Sequence, residues 1–404
     1  MADGTTVFFN PLAEGYVADP YPHFAEMRDE DPVHLSAVEM WFLFRHEDAA
    51  RLLRDPQLSV EDDNLEVRDE ERFAKFQEEY GDREPTRSML GLDDPDHARL
   101  RRLVSKAFTP SAIAALRPMI DRRVDAILDR IAEQGGGDVV ADLAWPLPFD
   151  VISQMLGMPE ADTTQIAQWS SALVKTLDPI ISDDEIAAAA HADRSMGELL
   201  DEIISWKRAN PSDDLLTALI QAEEDGDRLT PIELRAQVQL LFVAGHETTV
   251  NLIGTGIHEL LRHPEQAAIL RDDPDLDANA VDELLRYVSP VQFSRRVTTV
   301  DVDFGGTTIP KGMFVMAGLA SANHDPRKWG DDAEALDVRR ANPGQHLSFG
   351  SGSHYCLGAS LAKLETQAAV GRFLRRFPDA RVEGEPVWNG RINLRGLERL
   401  AVSV

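Results

Sequence analysis

The sequence predicts a mostly α protein with small β-sheets, an α+β chain. Helical periodicity runs through most of the 404 residues, while strand signals are few and clustered. Apolar residues make up 43% of the chain, enough for a large core. No Pro/Ser-rich linker, charge block or internal repeat divides it, so residues 1–404 read as one compact domain. The low-complexity stretch Gly135-Gly136-Gly137 reads as a loop between helices.

In chain order, Val33–Leu35 and Met40–Phe44 read as a small hairpin. His97–Ala107, Ser111–Glu133 and Met196–Arg208 carry apolar residues at helical spacing. Thr230-Pro231-Ile232-Glu233 combines a capping box with proline at the first helical position. From it a helix is predicted through Arg262, roughly 48 Å long at 1.5 Å per residue, because no proline follows until Pro264. Ala278–Val288 and Leu357–Phe377 are further helices. Val297–Phe304 alternates apolar residues as a strand does and runs into Gly305-Gly306, a tight-turn signal. Asp62–Ser88 and Ser170–Glu185 read as loop-rich.

Charge narrows the function. Seventy acidic against 41 basic residues give a formal charge of −29, which repels nucleic acid and anionic membranes. The N-terminus has neither a basic nor an apolar signal region, and no apolar run approaches the roughly 18–20 residues of a membrane span. A soluble, cytoplasmic monomer is expected.

Cys356 is the single cysteine, which excludes an intrachain disulfide, a multi-cysteine zinc site and a four-cysteine iron–sulfur site. It leaves a packing cysteine, a nucleophile paired with His354, or a thiolate ligand. A glycine-rich loop runs through Cys356 into Leu357, Leu361 and Leu364 at helical spacing, which places the thiol at a helix N-terminus, where an anion is favoured. In the long helix, Ala244-Gly245-His246-Glu247-Thr248-Thr249 interrupts an apolar run with polar residues. Thr248 can bond back to the Ala244 carbonyl, bending the helix and opening a groove. Two further pairs sit at helical spacing: Glu283 with Arg286, and His97 with Arg101.

Phe349, Gly350, Gly352, His354, Cys356 and Gly358 match the pattern Phe-Gly-x-Gly-x-His-x-Cys-x-Gly, the haem-ligand loop of the cytochrome P450 family. The resemblance extends from Asp19-Pro20-Tyr21-Pro22 to Arg395-Gly396-Leu397. It implies a cytochrome P450 fold, with haem b (iron protoporphyrin IX) between the long distal helix and the cysteine loop. Cys356 would hold the iron, Phe349 would shield the sulfur, and Gly350 and Gly358 would allow close approach to the macrocycle. His354, His97, Arg101 and Arg296 resemble the family's propionate ligands, and Ala244 lies in its distal haem-facing motif. Glu247 and Thr248 match its acid–alcohol pair, which relays protons to bound oxygen; His246 and Thr249 are expected to point away. Glu283 and Arg286 match its Glu-x-x-Arg, a structural pair whose third partner falls at Arg340, with Arg339 second.

The implied activity is that of a bacterial-type monooxygenase using O₂ to hydroxylate or epoxidise a hydrophobic small molecule. Electrons would come from NAD(P)H through ferredoxin reductase and ferredoxin. Leu92, Leu241, Ala244, Thr248, Val291, Phe293 and Leu394 are the expected substrate contacts. Arg99, Arg102 and Lys106, with Arg372, Arg375 and Arg376, form basic clusters that are either solvated faces or a ferredoxin dock. The rival readings are a peroxide-driven peroxygenase, a non-catalytic haem sensor and a cysteine hydrolase.

Overall fold

The computed structural model describes residues 8–66, 70–80, 87–106, 108–158, 163–224 and 227–404. They divide into two compact units, each discontinuous in sequence. The first comprises Met1–Arg68, Asp275–Cys356 and Trp388–Arg395; the second comprises Asp69–Pro274, Leu357–Val387 and Gly396–Val404. The sequence suggested a single unit. Because the chain passes repeatedly from one to the other, no linker composition marks a boundary.

The first unit is built on a five-stranded sheet in the order Val33–Leu35, Trp41–Leu43, Phe314–Gly318, Phe293–Thr298, Leu58–Ser59. The predicted hairpin forms, with Val33 opposite Leu43, and Phe314–Gly318 adds parallel to its second strand. Strand alternation sends neighbouring residues to opposite faces. Leu43, Val315 and Ala317 join an aliphatic core with Leu52, Phe304 and Ile309. Phe42, Met316 and Phe293 join an aromatic core with Phe9, Phe24 and Phe44.

The predicted strand Val297–Phe304 is broken in two. Phe293–Thr298 ends where the Thr298 hydroxyl donates to Pro310 O at 2.7 Å and Thr299 N–H turns to Gln57 O. Val302–Phe304 then pairs with Thr307–Ile309 across Gly305 and Gly306, at φ 57° and 86°. Two positive-φ positions are what a tight hairpin turn of this kind requires, and glycine supplies both without a Cβ penalty.

The second unit is helical. Ser111–Glu133 is two helices, Pro110–Ala115 and Arg117–Gln134, because Pro118 lacks an N–H and can sit only in a first turn. Met196–Arg208 extends back to Asp183, started by a Ser182–Glu185 capping box. Asp62–Ser88 contains a helix at Glu70–Tyr80, while 67–69 and 81–86 lie outside the described residues, as does Ala107. Ser170–Glu185 is the end of one helix (Thr163–Lys175), a short turn and the start of the next. The long helix is uninterrupted over Pro231–Arg262, and its capping box forms in both directions. It packs against Pro146–Leu156, Asp183–Ala209 and Ala359–Arg376. No described helix is long and apolar enough to cross a membrane.

Candidate functional site

In the first unit, the cysteine loop is a closed backbone circuit. Gly350 N–H donates to Leu347 O at 2.8 Å, Tyr355 N–H to Gly352 O at 3.1 Å, and Cys356 N–H to Phe349 O at 2.9 Å. Gly350 and Gly352 have φ of 69° and 73°, and a Cβ on Gly352 would meet Leu53 O at 2.7 Å. Both positions therefore require glycine, one for its backbone angle and the other also for space. The thiol of Cys356 is exposed at the end of this circuit. Phe349 lies tilted against His346 and edge-on to Tyr355, and His354 is half-buried in the same loop. Burial, and after it the charge of Cys356, push the Tyr355 phenol up from its ordinary value.

One expectation is corrected here. The following helix begins at Ala359 with Gly358 as its cap, two residues past Cys356 and later than the predicted start at Leu357. Its first main-chain bond is Ala362 N–H to Gly358 O at 2.9 Å.

Behind the loop lies a fully buried ion pair. Glu283 accepts from Arg286 Nε and Nη2 at 2.7 and 2.8 Å, from Arg340 Nε at 3.1 Å and from Asp337 N–H at 3.0 Å. Arg340 is the third partner, while Arg339 is exposed. Burial works against the Arg340 charge, but Glu283 and Asp332 together outweigh it and the net shift is upward. Arg296 is buried in the strand Phe293–Thr298, its Nη1 donating to Arg295 O at 2.7 Å. Val291 and Leu394 meet in an antiparallel bridge. Phe293 does not belong with them. It is 1% exposed, inside the aromatic core and edge-on to Phe24 and Phe42, so it is a packing residue and not a substrate contact. The family resemblance that suggested this contact did not fix which face of the strand Phe293 takes.

In the second unit, Leu241, Ala244 and Thr248 fall at i, i+3 and i+7 on one stripe of the distal helix. Leu241 is buried, Ala244 exposed and Thr248 half-exposed. Thr248 Oγ donates to Ala244 O at 3.0 Å, the predicted back-bond. Glu247 is buried. His246 is 0% exposed, packed edge-on against Trp145 and Phe149, and Thr249 bonds back to Gly245 O, so both turn into the helical core. His97 is buried at the start of the helix Asp96–Ser105, with Nδ1 at 3.3 Å from Asp94 Oδ1; Arg101, one turn on, is half-buried. Leu92 is half-buried just before this helix. The turn Met89–Gly91 is tied to the distal helix where Met89 N–H donates to Gln237 Oε1 at 3.1 Å.

The basic clusters are largely spent within the unit. Arg99 pairs with Glu233 and Asp227, Arg372 with Asp121 and Asp125, and Arg376 with Asp129. Arg99 thus serves the cap of the distal helix and is not free for a partner.

These features bear on whether a haem suits this chain. Among the described residues no three His, Cys, Asp or Glu side chains gather as a metal site. A metal here would take one protein ligand and bring the rest in a macrocycle. A lone exposed thiol, held by two turns that only glycine permits, is a donor of that kind. The residues fit the group.

A helical fold with small sheets, one cysteine donor on a glycine loop and a polar interruption in a long apolar helix describes the haem-thiolate class of oxidoreductases. The family model described as Cytochrome P450 matches residues 40–276 and 276–389, and the chain belongs to the cytochrome P450 family. It is similar to Cytochrome P450 107B1 of Saccharopolyspora erythraea, with 42% identity over 400 residues covering 96% of each chain. Cytochrome P450 monooxygenase PikC of Streptomyces venezuelae is 39% identical over 402 residues, covering 97% of this chain and 92% of PikC. The solved structure of the Bacillus subtilis bacillaene polyketide synthase cytochrome P450 PksS superposes with a TM-score of 0.87 at 34% identity, over 98% of this chain and 99% of that one. The chain is accordingly a bacterial-type, haem-binding cytochrome P450 monooxygenase.

The sequence alone passed over three residues near these features. Asn323, Ser348 and Arg54 touch the cysteine loop or its base, and only three-dimensional contact shows it.

Proposed function

We propose that Cys356 is the iron ligand, that Glu247 and Thr248 form the proton relay, and that the chain oxidises a hydrophobic small molecule of polyketide type. The closed glycine circuit presenting a single exposed thiol carries this reading. Bound haem supplies O₂ activation, with a thiolate that donates electron density to favour O–O cleavage. The protein's part is to position groups and exclude water. Thr248 Oγ donates its hydrogen bond to Ala244 O, so its lone pairs face outward as acceptors until the hydroxyl rotates. Glu247, on the adjacent position, holds a carboxylate able to take a proton from water and deliver it to Thr248 Oγ as that hydroxyl gives up its own proton on the haem side. His354, His97, Arg101 and Arg296 are proposed to hold the propionates, where the arginine fork matches a carboxylate.

Leu92, Leu241, Val291 and Leu394 give the proposed substrate contacts an apolar character, which suits a largely hydrocarbon ligand. A similar structure, the bacillaene polyketide synthase cytochrome P450 PksS, supports a polyketide as that ligand.

Electrons are proposed to arrive from NAD(P)H through a reductase and a ferredoxin. With Arg99, Arg372 and Arg376 engaged internally, Arg54 becomes the better docking candidate. Its backbone and side chain lie 3.3 Å from where a Cβ on Gly352 would stand, and its exposed guanidinium donates to Ala50 O at 3.0 Å. Burial first, and then the neighbouring Lys328, pull the nearby His46 down to about 4, with Arg54 adding a smaller push in the same direction. Turnover supported by NADPH, ferredoxin reductase and ferredoxin, and not by hydrogen peroxide alone, is the expected result. The reverse pattern makes the chain a peroxygenase.

A further inference from the structure

The cysteine loop is fastened by more than its own backbone bonds. Asn323, fully buried after the short helix Leu319–Ala322, commits its whole amide to the region. Its Oδ1 accepts Leu347 N–H at 2.7 Å, and its Nδ2 donates to Ser348 Oγ and to Ser289 Oγ, each at 2.8 Å. An amide nitrogen has two protons to give, so this group is saturated. Ser348 Oγ in turn donates to Leu285 O at 2.6 Å. Ser289, in the left-handed region at φ 36°, ends the helix Asp277–Val288 with its hydroxyl toward Leu285 O and Arg286 O. The main-chain carbonyl of Asn323 accepts from Arg286 Nη1 at 2.8 Å. A continuous path therefore runs from the Glu283–Arg286 pair through Asn323 to Leu347 and Ser348. The next residue is Phe349, whose carbonyl takes the Cys356 N–H.

We propose that Asn323, with Ser289 and Ser348, is the positioning element that sets the geometry of Cys356, and that the buried Glu283–Arg286 pair acts on the thiolate by holding Asn323. Every atom in the network is satisfied and almost none is exposed, so its members move together or not at all. Removing the amide leaves the buried Leu347 N–H without its acceptor and takes a donor from each of the two hydroxyls, and the cheapest relief is a shift of the loop. Partners of a metal ligand tune its donor strength through orientation, without touching the metal. The inference rests on the proposed role of Cys356.

The test uses full-length holoprotein carrying Asn323→Leu, Asn323→Asp or Ser348→Ala. Three readouts separate positioning from mere stability. These are the share of the reduced CO complex with a thiolate-type Soret band, the haem reduction potential, and hydrogen exchange of the peptide covering Leu347–Gly350. Asn323→Leu should at least halve the thiolate-type share, shift the potential, and speed exchange by about tenfold. Asn323→Asp keeps the acceptor for Leu347 N–H but loses both donors, so it should fall between. Ser348→Ala removes one link and should move all three readouts less, in the same direction, which decides the matter if Asn323→Leu does not fold. Variants that melt earlier yet keep the wild-type spectrum, potential and exchange would overturn the proposal. A wild-type holoprotein with no thiolate-type band would instead sink the assignment of Cys356, and this inference with it.

Discussion

Glu283→Gln isolates the charge of the buried ion pair with almost no change of shape. The native carboxylate accepts four hydrogen bonds, three from guanidinium groups and one from Asp337 N–H. Arg286 and Glu283 are both 0% exposed. The remaining partners of Arg286 are the carbonyls of Asn323, Ala333 and Ala335, which bear no net charge. Glutamine therefore leaves a buried cation without an anion, and one orientation of its amide would point a donor at a donor. Breaking such a pair costs about 3–5 kcal/mol. That is a large share of a total stability of roughly 5–15 kcal/mol, and it lowers the folded-to-unfolded ratio by a hundredfold to several thousandfold. Equilibrium urea unfolding of the holoprotein, followed by far-UV circular dichroism, measures the loss as a lower midpoint. A changed slope would indicate that the two units unfold separately. Arg339→Gln, on an exposed side chain beside the same network, should stay within about 0.5 kcal/mol. If Glu283→Gln cost less than about 1 kcal/mol, the pair would not be bearing on stability as its burial implies.

Thr248→Ala should leave haem binding unchanged but divert electrons to hydrogen peroxide, lowering product per NADPH severalfold; full coupling would remove Thr248 from the relay. Glu365 is buried in the helix Ala359–Arg376, where burial pushes its carboxyl well above the usual range, so the fold favours its protonated form. An acid whose folded value is raised costs stability as pH rises above its unfolded value of about 4.3. Glu365→Gln should therefore match wild type at pH 4 and gain a stability advantage that grows toward pH 8; a pH-independent difference in urea midpoint would contradict this. Arg54→Glu should slow ferredoxin-driven turnover about tenfold at low salt, with the gap closing as salt is added, while Arg102→Glu does much less. Equal effects would return the dock to the helix Asp96–Ser105.

The features legible in the sequence are those held by local spacing. The cysteine loop, the Glu-x-x-Arg pair, the capping box of the distal helix and the back-bond of Thr248 each lie within a few residues, and each forms as expected. Arg340, 57 residues from Glu283, was reachable only through the family pattern. What failed depends on contacts distant in sequence. Phe293 faces the aromatic core because of how its strand pairs with Phe314–Gly318, which alternation alone does not fix. Arg99 is claimed by Glu233, 134 residues away. Asn323 carries no motif at all, and its importance comes from three elements converging on one amide. Helix ends shifted where a proline or a capping box outweighed the apolar period, as at Pro118 and Ser182.

The reduced, CO-bound absorption spectrum of the wild-type protein beside Cys356→Ser tests the central claim most directly. A thiolate-type Soret band in the wild type that disappears in the serine variant, together with monooxygenase turnover, is the expected result. The same band and turnover in both proteins would show that the sulfur of residue 356 does not hold the iron.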